Sequence, residues 1–281
     1  MGGDLAGLTF LVTGGNTGIG LATARGLAAR GGRVHIACRS PDKGRVAAGR
    51  IAAETGNDAV GFLPLDLARL ASVRECAQAF LALGQPLHVL INNAGVGGRR
   101  GLTVDGFELA FGVNHLGHFA LTAALAGHLA ASAPSRVVTV SSDAHYQAGG
   151  VDFAALRRPT RSPTGLREYA VSKLCNVLFA QELARRMEGR GVTSCALHPG
   201  VVASDIWRRV PWPIRPLMKR RMISPRQGAR TSLYCATSPE VAGESGLYYD
   251  DCRRKDAAAV ATAALGAELW RRSSEWTAAG A

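Results

Sequence analysis

Aromatic residues are scarce in this 281-residue chain, only 6% of the total. Platforms that stack single-stranded nucleic acid interleave rings with cations. The basic stretches 157–167 and 208–226 lack that regular interleaving. Cys-x-x-Cys pairs and His/Cys clusters are missing too. Six cysteines (Cys38, Cys76, Cys175, Cys195, Cys235 and Cys252) lie far apart, a spacing that argues against a zinc framework. In a chain this long they read as reduced, mostly buried thiols in a cytoplasmic protein. The start, Met1 to Ala6, has neither the basic nor the long apolar region of a secretory signal, and Ala6 stands where myristoylation needs Ser or Thr. Charge of either sign is absent from Leu109 to Ser135, a run long enough to cross a bilayer. Its alanines and its polar Asn114, His115, His118 and His128 point instead to a helix buried in a core or at a subunit interface.

What is present is ordinary for a soluble domain: 47% hydrophobic and 19% charged residues. The net charge of +12 comes without a helix-turn-helix, zinc or RNA-binding signature. A solvated basic face, or attraction to an anionic cofactor, is the reading, with no nucleic-acid partner. Short branched apolar runs at Leu8–Val12, Arg33–Cys38, Val60–Leu65, Leu87–Ile91, Arg136–Val140 and Thr193–Leu197 predict strands. Alanine-rich amphipathic stretches at Ile19–Ala29, Asp42–Glu54, Ser72–Ala82, Leu116–Ala131 and Tyr169–Met187 predict the helices between them. Continuous apolar strands alternating with helices indicate an α/β fold, a single-domain doubly wound (Rossmann) parallel sheet with helices on both faces. The Pro- and Arg-rich stretches 156–167 and 207–225 read as excursions near the carboxyl ends of strands, where ligands bind in such sheets.

After the first strand, Thr13-Gly14-Gly15-Asn16-Thr17-Gly18-Ile19-Gly20 opens a helix. Gly14, Gly18 and Gly20 allow a tight turn, close approach of a pyrophosphate and close helix packing, and the helix N-terminus offers free N–H groups to it. An acid at the end of the second strand would select NAD(H) by bonding the ribose 2′-hydroxyl. Here Arg39-Ser40 stand there with Lys43 close behind, and guanidinium binds phosphate. The expected cofactor is therefore NADP(H).

Tyr169 and Lys173 are four residues apart, on one face of the predicted helix. A phenol is too weak an acid at neutral pH, and a neighbouring ammonium lowers its pKa. The pair suits general acid/base work on an alcohol or carbonyl.

With the glycine loop, Asn92-Asn93-Ala94-Gly95, Ser141-Ser142 and Tyr169-x-x-x-Lys173 in this order, the chain resembles the short-chain dehydrogenase/reductase family over nearly its whole length. Asn114-His115-Leu116-Gly117-His118-Phe119, Tyr169 to Asn176 and His198-Pro199-Gly200 resemble its retinol dehydrogenase-like branch. The resemblance implies Tyr169 as acid/base, Lys173 as the group that lowers its pKa and holds the nicotinamide ribose, Ser142 on the substrate oxygen, and Asn114 as holder of a relay water. It also implies cofactor contacts from Gly14, Asn16, Thr17, Gly18, Ile19, Gly20, Arg39, Ser40, Lys43, Asp66, Leu67, Asn92, Ala94, Gly95, Pro199, Gly200, Val202 and Ser204. Asn93, Ser141, His145, His198 and Asn176 read as structural.

The expected organisation is one domain over residues 1–281, with a nucleotide-binding half at about 5–142 and a substrate lid at about 204–224. Trp207, Trp212, Ile214, Leu217 and Met218 suit a greasy lid, so the implied chemistry is the interconversion of a lipophilic aldehyde or ketone (retinoid-, steroid- or fatty-type) and its alcohol. Lys219, Arg220 and Arg221 add the option of weak membrane-surface contact. A homodimer or homotetramer is expected by analogy. Two alternatives count for less. A nucleotide-sensing relative would lack Tyr169 or Lys173, and an epimerase or dehydratase would need a longer C-terminal domain.

Overall fold

A computed structural model describes residues 3–200 and 223–278. Its strands are β1 (Thr9–Thr13), β2 (Arg33–Cys38), β3 (Val60–Pro64), β4 (Val89–Asn92), β5 (Ser135–Val140), β6 (Val192–His198), β7 (Leu247–Asp250) and β8 (Arg253–Lys255). They form one sheet in the order β3-β2-β1-β4-β5-β6-β7-β8. All neighbours pair in parallel except β7 and β8. The helices are α1 (Gly18–Ala28), α2 (Pro41–Thr55), α3 (Leu70–Leu81), α4 (Leu109–Phe111), α5 (Gly117–Ala131), α6 (Leu166–Arg186), α7 (Pro225–Thr237) and α8 (Ala263–Ala278).

Strand geometry sends alternate side chains to opposite faces, and both faces are covered. Phe10 and Val12 of β1 join a core with Leu27 of α1, Ile51 of α2 and Cys235 of α7. Leu11 between them joins the opposite core, with Phe80 of α3, Leu125 of α5 and Phe179 of α6. This two-sided burial is why the strands are apolar without alternation. Strand order reverses between β1 and β4, so the crevice outside their carboxyl ends is the topological switch point, where ligands bind in such sheets.

Three features depart from the sequence expectation. The edge hairpin β7–β8 was not foreseen, and it adds an antiparallel strand to the parallel sheet. Its last strand, Arg253-Arg254-Lys255, is exposed throughout and offers no apolar period to detect, while its charges guard the sheet edge. Helix α6 begins at Leu166, ahead of Tyr169, because Gly165 enters it with φ 68° and the Glu168 carboxylate accepts from the N–H groups of Arg161 and Ser162. The stretch 156–167 before α6, read as an excursion, is pinned to the body at two points. Leu156 is buried with Phe107, Phe111 and Leu269, and Thr160 bonds the buried Glu108.

The charge-free stretch Leu109–Ala131 is long and apolar enough to span a membrane, yet 72% of its most apolar window is buried within the fold. Helix α8 lies across it and α6. The Trp270 ring meets Phe119 at 4.9 Å and stacks on Phe179 at 5.9 Å, and the His115 imidazole Nε2 lies 3.0 Å from Ser273 Oγ. Helix α8 thus covers part of the charge-free run, which the sequence places in a core or at a subunit interface.

Candidate active site

The apolar stretch is not one continuous helix. Between α4 and α5 it widens into a π turn, Gly112–Leu116, where the Gly117 N–H bonds the Gly112 carbonyl, five residues back. Such turns gather at functional sites, and this one carries Asn114. That residue is fully buried. Its amide nitrogen donates to the Val96 carbonyl (2.9 Å) and to Ser172 Oγ (2.8 Å), and its Oδ1 accepts from the Val96 N–H (2.7 Å). With both amide protons committed, Asn114 has only lone pairs left to offer.

Lys173 is buried in α6, and its Nζ donates to the carbonyl of Val140, the last residue of β5, at 2.9 Å. Asn176, read as a packing residue, donates to the same carbonyl at 3.1 Å. Ser141 donates to the Lys173 carbonyl at 2.7 Å, the structural task expected of it. A Cβ placed on Gly95 would lie 3.2 Å from Asn114 Oδ1 and 3.7 Å from Lys173 Nζ, so the three residues border one point.

Tyr169 is half-buried one helical turn before Lys173, with the ammonium 5.6 Å from its ring centroid. Its hydroxyl lies near Ser142. The expectation that Lys173 lowers the phenol pKa is not met in this structure. Burial raises the Tyr169 pKa, the nearby Ser142 hydroxyl partly opposes the rise, and Asp143 adds to it. Lys173 is itself pushed down to about 7 by burial, so near neutrality it is only partly an ammonium. It faces the ring and the Val140 carbonyl rather than supplying a full charge to the phenol oxygen. Ser142 Oγ donates its one proton to Asp143 Oδ1 (3.0 Å) and accepts from the Ala144 N–H (3.2 Å). His145 and His198 hold the loop after β5: His145 Nδ1 bonds the Ser142 carbonyl at 2.7 Å, and His198 Nδ1 accepts from the Asp143 N–H at 3.2 Å. Both rings thus bond backbone of this loop.

On the other side of the switch point lies the glycine loop. Helix α1 has no side-chain cap at Thr17 and no acid in its first turn, so its leading N–H groups are available to an anion. Gly14 (φ 67°) and Gly18 (φ 56°) take left-handed backbone, and space is open beside Gly18. A Cβ on Gly20 would sit 2.4 Å from the Gly14 carbonyl oxygen. Asn16, Thr17 and Ile19 are at least partly exposed on this turn. Arg39 and Lys43 are exposed beyond β2, and Ser40 leaves the start of α2 without a side-chain cap. An uncapped helix start, a glycine cradle and nearby cations fit a dinucleotide carrying phosphates.

Two expected ligands turn inward. The Asn92 side chain is wholly buried, donating to Thr122 Oγ1 at 3.1 Å. Leu67 is buried, against the place where a Gly117 side chain would otherwise stand. Neither side chain is exposed in this structure. The Asp66 carboxylate caps its own turn through the Ala68 N–H (3.1 Å) and remains half-exposed. Ala94 and Gly95 border the crevice, while Asn93 ties the loops together by donating to the Thr13 carbonyl at 2.7 Å. Pro199 and Gly200 (φ 82°) follow β6, half-buried. Val202, Ser204 and the expected lid up to 222 lie outside the described residues.

One residue was missed. Thr13 Oγ1 accepts from the N–H groups of Asn93 (2.9 Å) and Ala94 (3.0 Å) and so joins the glycine loop to the loop after β4. A buried polar residue at the end of an apolar strand was the signal available for it.

The short chain dehydrogenase family model matches residues 8–212. The chain belongs to the short-chain dehydrogenase family. This short-chain dehydrogenase is 47% identical over 258 residues to retinol dehydrogenase 12 of Homo sapiens, covering 89% of this chain and 80% of that one. Among solved structures it is similar to a protein of Mycobacterium paratuberculosis (33% identity, TM-score 0.80, 98% of this chain and 95% of that one). The RhlG/NADP active-site complex of Pseudomonas aeruginosa is a further neighbour (28%, 0.70, 88% and 95%). Family membership makes the protein an oxidoreductase that uses a nicotinamide cofactor.

Proposed function

We propose that the protein is an NADP(H)-dependent oxidoreductase that interconverts a lipophilic aldehyde or ketone and its alcohol, with Tyr169 as acid/base. The observation that carries the reading is the convergence of Tyr169, Ser142, Lys173 and Asn114 on the carboxyl ends of β4 and β5, across the switch point from the uncapped start of α1. A bound nicotinamide nucleotide would supply or accept the hydride at the reacting carbon. The chain's own residues handle the oxygen. Ser142 donates to the substrate oxygen, and the Tyr169 hydroxyl gives it a proton as the carbonyl becomes an alcohol; the reverse reaction returns that proton to the phenolate. A phenol whose pKa is raised by burial holds its proton firmly at rest, so lowering must come from groups that gather when the site fills. Lys173 holds its Nζ 5.6 Å from the Tyr169 ring centroid. Asn114, with lone pairs to spare, accepts from a water that passes protons between Lys173 and solvent.

Arg39 at the end of β2, with no acid in its place, supports the 2′-phosphate and hence NADP(H). The same cofactor is named for RhlG, and the identity to retinol dehydrogenase 12 supports a lipophilic substrate. The test is NADPH consumption over carbonyls of graded size and apolarity, with Tyr169→Phe as control. A fall in kcat of at least about a hundredfold is expected; a Tyr169→Phe enzyme that keeps wild-type turnover overturns the mechanism.

A further inference from the structure

His118 lies one turn beyond Asn114, wholly buried, and makes two bonds whose directions are fixed by chemistry. Its Nδ1 is 3.0 Å from the Asn114 carbonyl oxygen. A carbonyl only accepts, so Nδ1 must carry the hydrogen. Burial, with the Lys173 charge adding to it, holds the imidazole pKa down to about 4, so the ring is neutral and Nε2 is a bare acceptor. At 2.8 Å from Nε2 sits Thr13 Oγ1, which must therefore donate. The hydroxyl has one proton and two lone pairs, and the lone pairs are already used by the Asn93 and Ala94 N–H groups. The alternative acceptor for that proton, the Ile91 carbonyl, is farther off at 3.4 Å.

The outcome is one directional chain. Backbone N–H groups of the loop after β4 point to Thr13, Thr13 to His118, and His118 to the carbonyl of the π turn. No other residue among those described bonds both the carbonyl of Asn114 and the hydroxyl that gathers the glycine loop and the Asn93–Ala94 loop. We propose that His118, in its Nδ1–H form, is a positioning residue that locks Asn114 and the nucleotide-side loops into one register. The proposal rests on the oxidoreductase reading for its kinetic consequences, though not for its geometry.

The ring's two ends can be separated by substitution. In His118→Asn the amide N–H₂ reaches where Nδ1 stood and keeps the bond to Asn114 while Thr13 loses its acceptor. In His118→Gln the amide oxygen reaches where Nε2 stood and keeps Thr13 while the Asn114 carbonyl loses its donor. A crossed result is expected with the full-length protein. His118→Gln should lower kcat about tenfold or more with NADPH affinity near wild type, and His118→Asn should retain the larger share of kcat while binding NADPH about fivefold more weakly. Losses of kcat and NADPH affinity that run in parallel in both variants, in step with their melting temperatures, would mean that His118 only fills space. Nitrogen-15 NMR of labelled histidine, assigned by the signal missing in His118→Gln, gives an answer independent of turnover: a protonated Nδ1 and a bare Nε2. The opposite tautomer overturns the proposal. If wild type reduces no carbonyl at all, the functional reading fails, and the tautomer and NADPH titration still decide this one.

Discussion

Lys173 donates its Nζ proton to the Val140 carbonyl at 2.9 Å, and the ammonium so held is buried deeply enough to sit at about pKa 7. The consequence for stability has a definite sign. Unfolded, the lysine keeps its proton up to about 10.5; folded, it releases it from about 7. Between those values the unfolded chain binds more protons, so stability rises with pH. Relative to Lys173→Met, wild type should gain about 1.4 kcal/mol per pH unit above 7, or roughly 2–3 kcal/mol by pH 9. Urea melts of both proteins at pH 7 and 9 measure it, and the comparison cancels the buried phenols and thiols. Parallel curves would mean that the lysine is not desolvated.

Arg39 is exposed beyond β2. If it holds a phosphate, Arg39→Leu removes a charge-assisted bond worth about 1.5–3 kcal/mol. The kcat/KM with NADPH should then fall about tenfold or more, with the NADH value little changed. Equal losses with both cofactors would assign Arg39 to adenine stacking instead.

Gly20 has no room for a side chain, since its Cβ would stand 2.4 Å from a backbone oxygen that cannot move aside cheaply. Gly20→Ala should cost about 1–3 kcal/mol of stability and weaken NADPH binding by displacing the start of α1. Calorimetry with and without NADPH reads both effects.

Trp270 fastens α8 to α5 and α6 through Phe119, Phe179 and the Arg186 guanidinium 4.7 Å above its ring. Trp270→Ala should lower stability by about 3 kcal/mol. It should also bare apolar surface on α5 and α6. Light scattering tests the second effect: variant self-association exceeding that of wild type is expected, and equal masses would show that α8 stays docked.

Much of the fold was legible because its rules are local. Six of the eight strands and the helices between them follow from apolar runs and alanine-rich periodicity, and the turn at Gly14–Gly20 from residues without side chains. The hairpin β7–β8 was not legible: an edge strand made of Arg253, Arg254 and Lys255 draws its structure from pairing with β7 rather than from any pattern of its own.

At the site, helical spacing and strand order already say which groups meet. Tyr169 and Lys173 share a face by helical spacing, and Asn114, Ser142 and the glycine loop stand at strand ends that the sheet brings together. Tertiary structure alone decided how those groups behave. The phenol pKa goes up rather than down, because burial acts on Tyr169 and Lys173 alike and desolvation depends on everything packed around them. Asn92 and Leu67 face inward because a strand end borders both core and crevice, and only packing selects the side. The step from His118 back to the Asn114 carbonyl is one helical turn, but the step from Thr13 to His118 joins residues 105 positions apart, and no spacing encodes it.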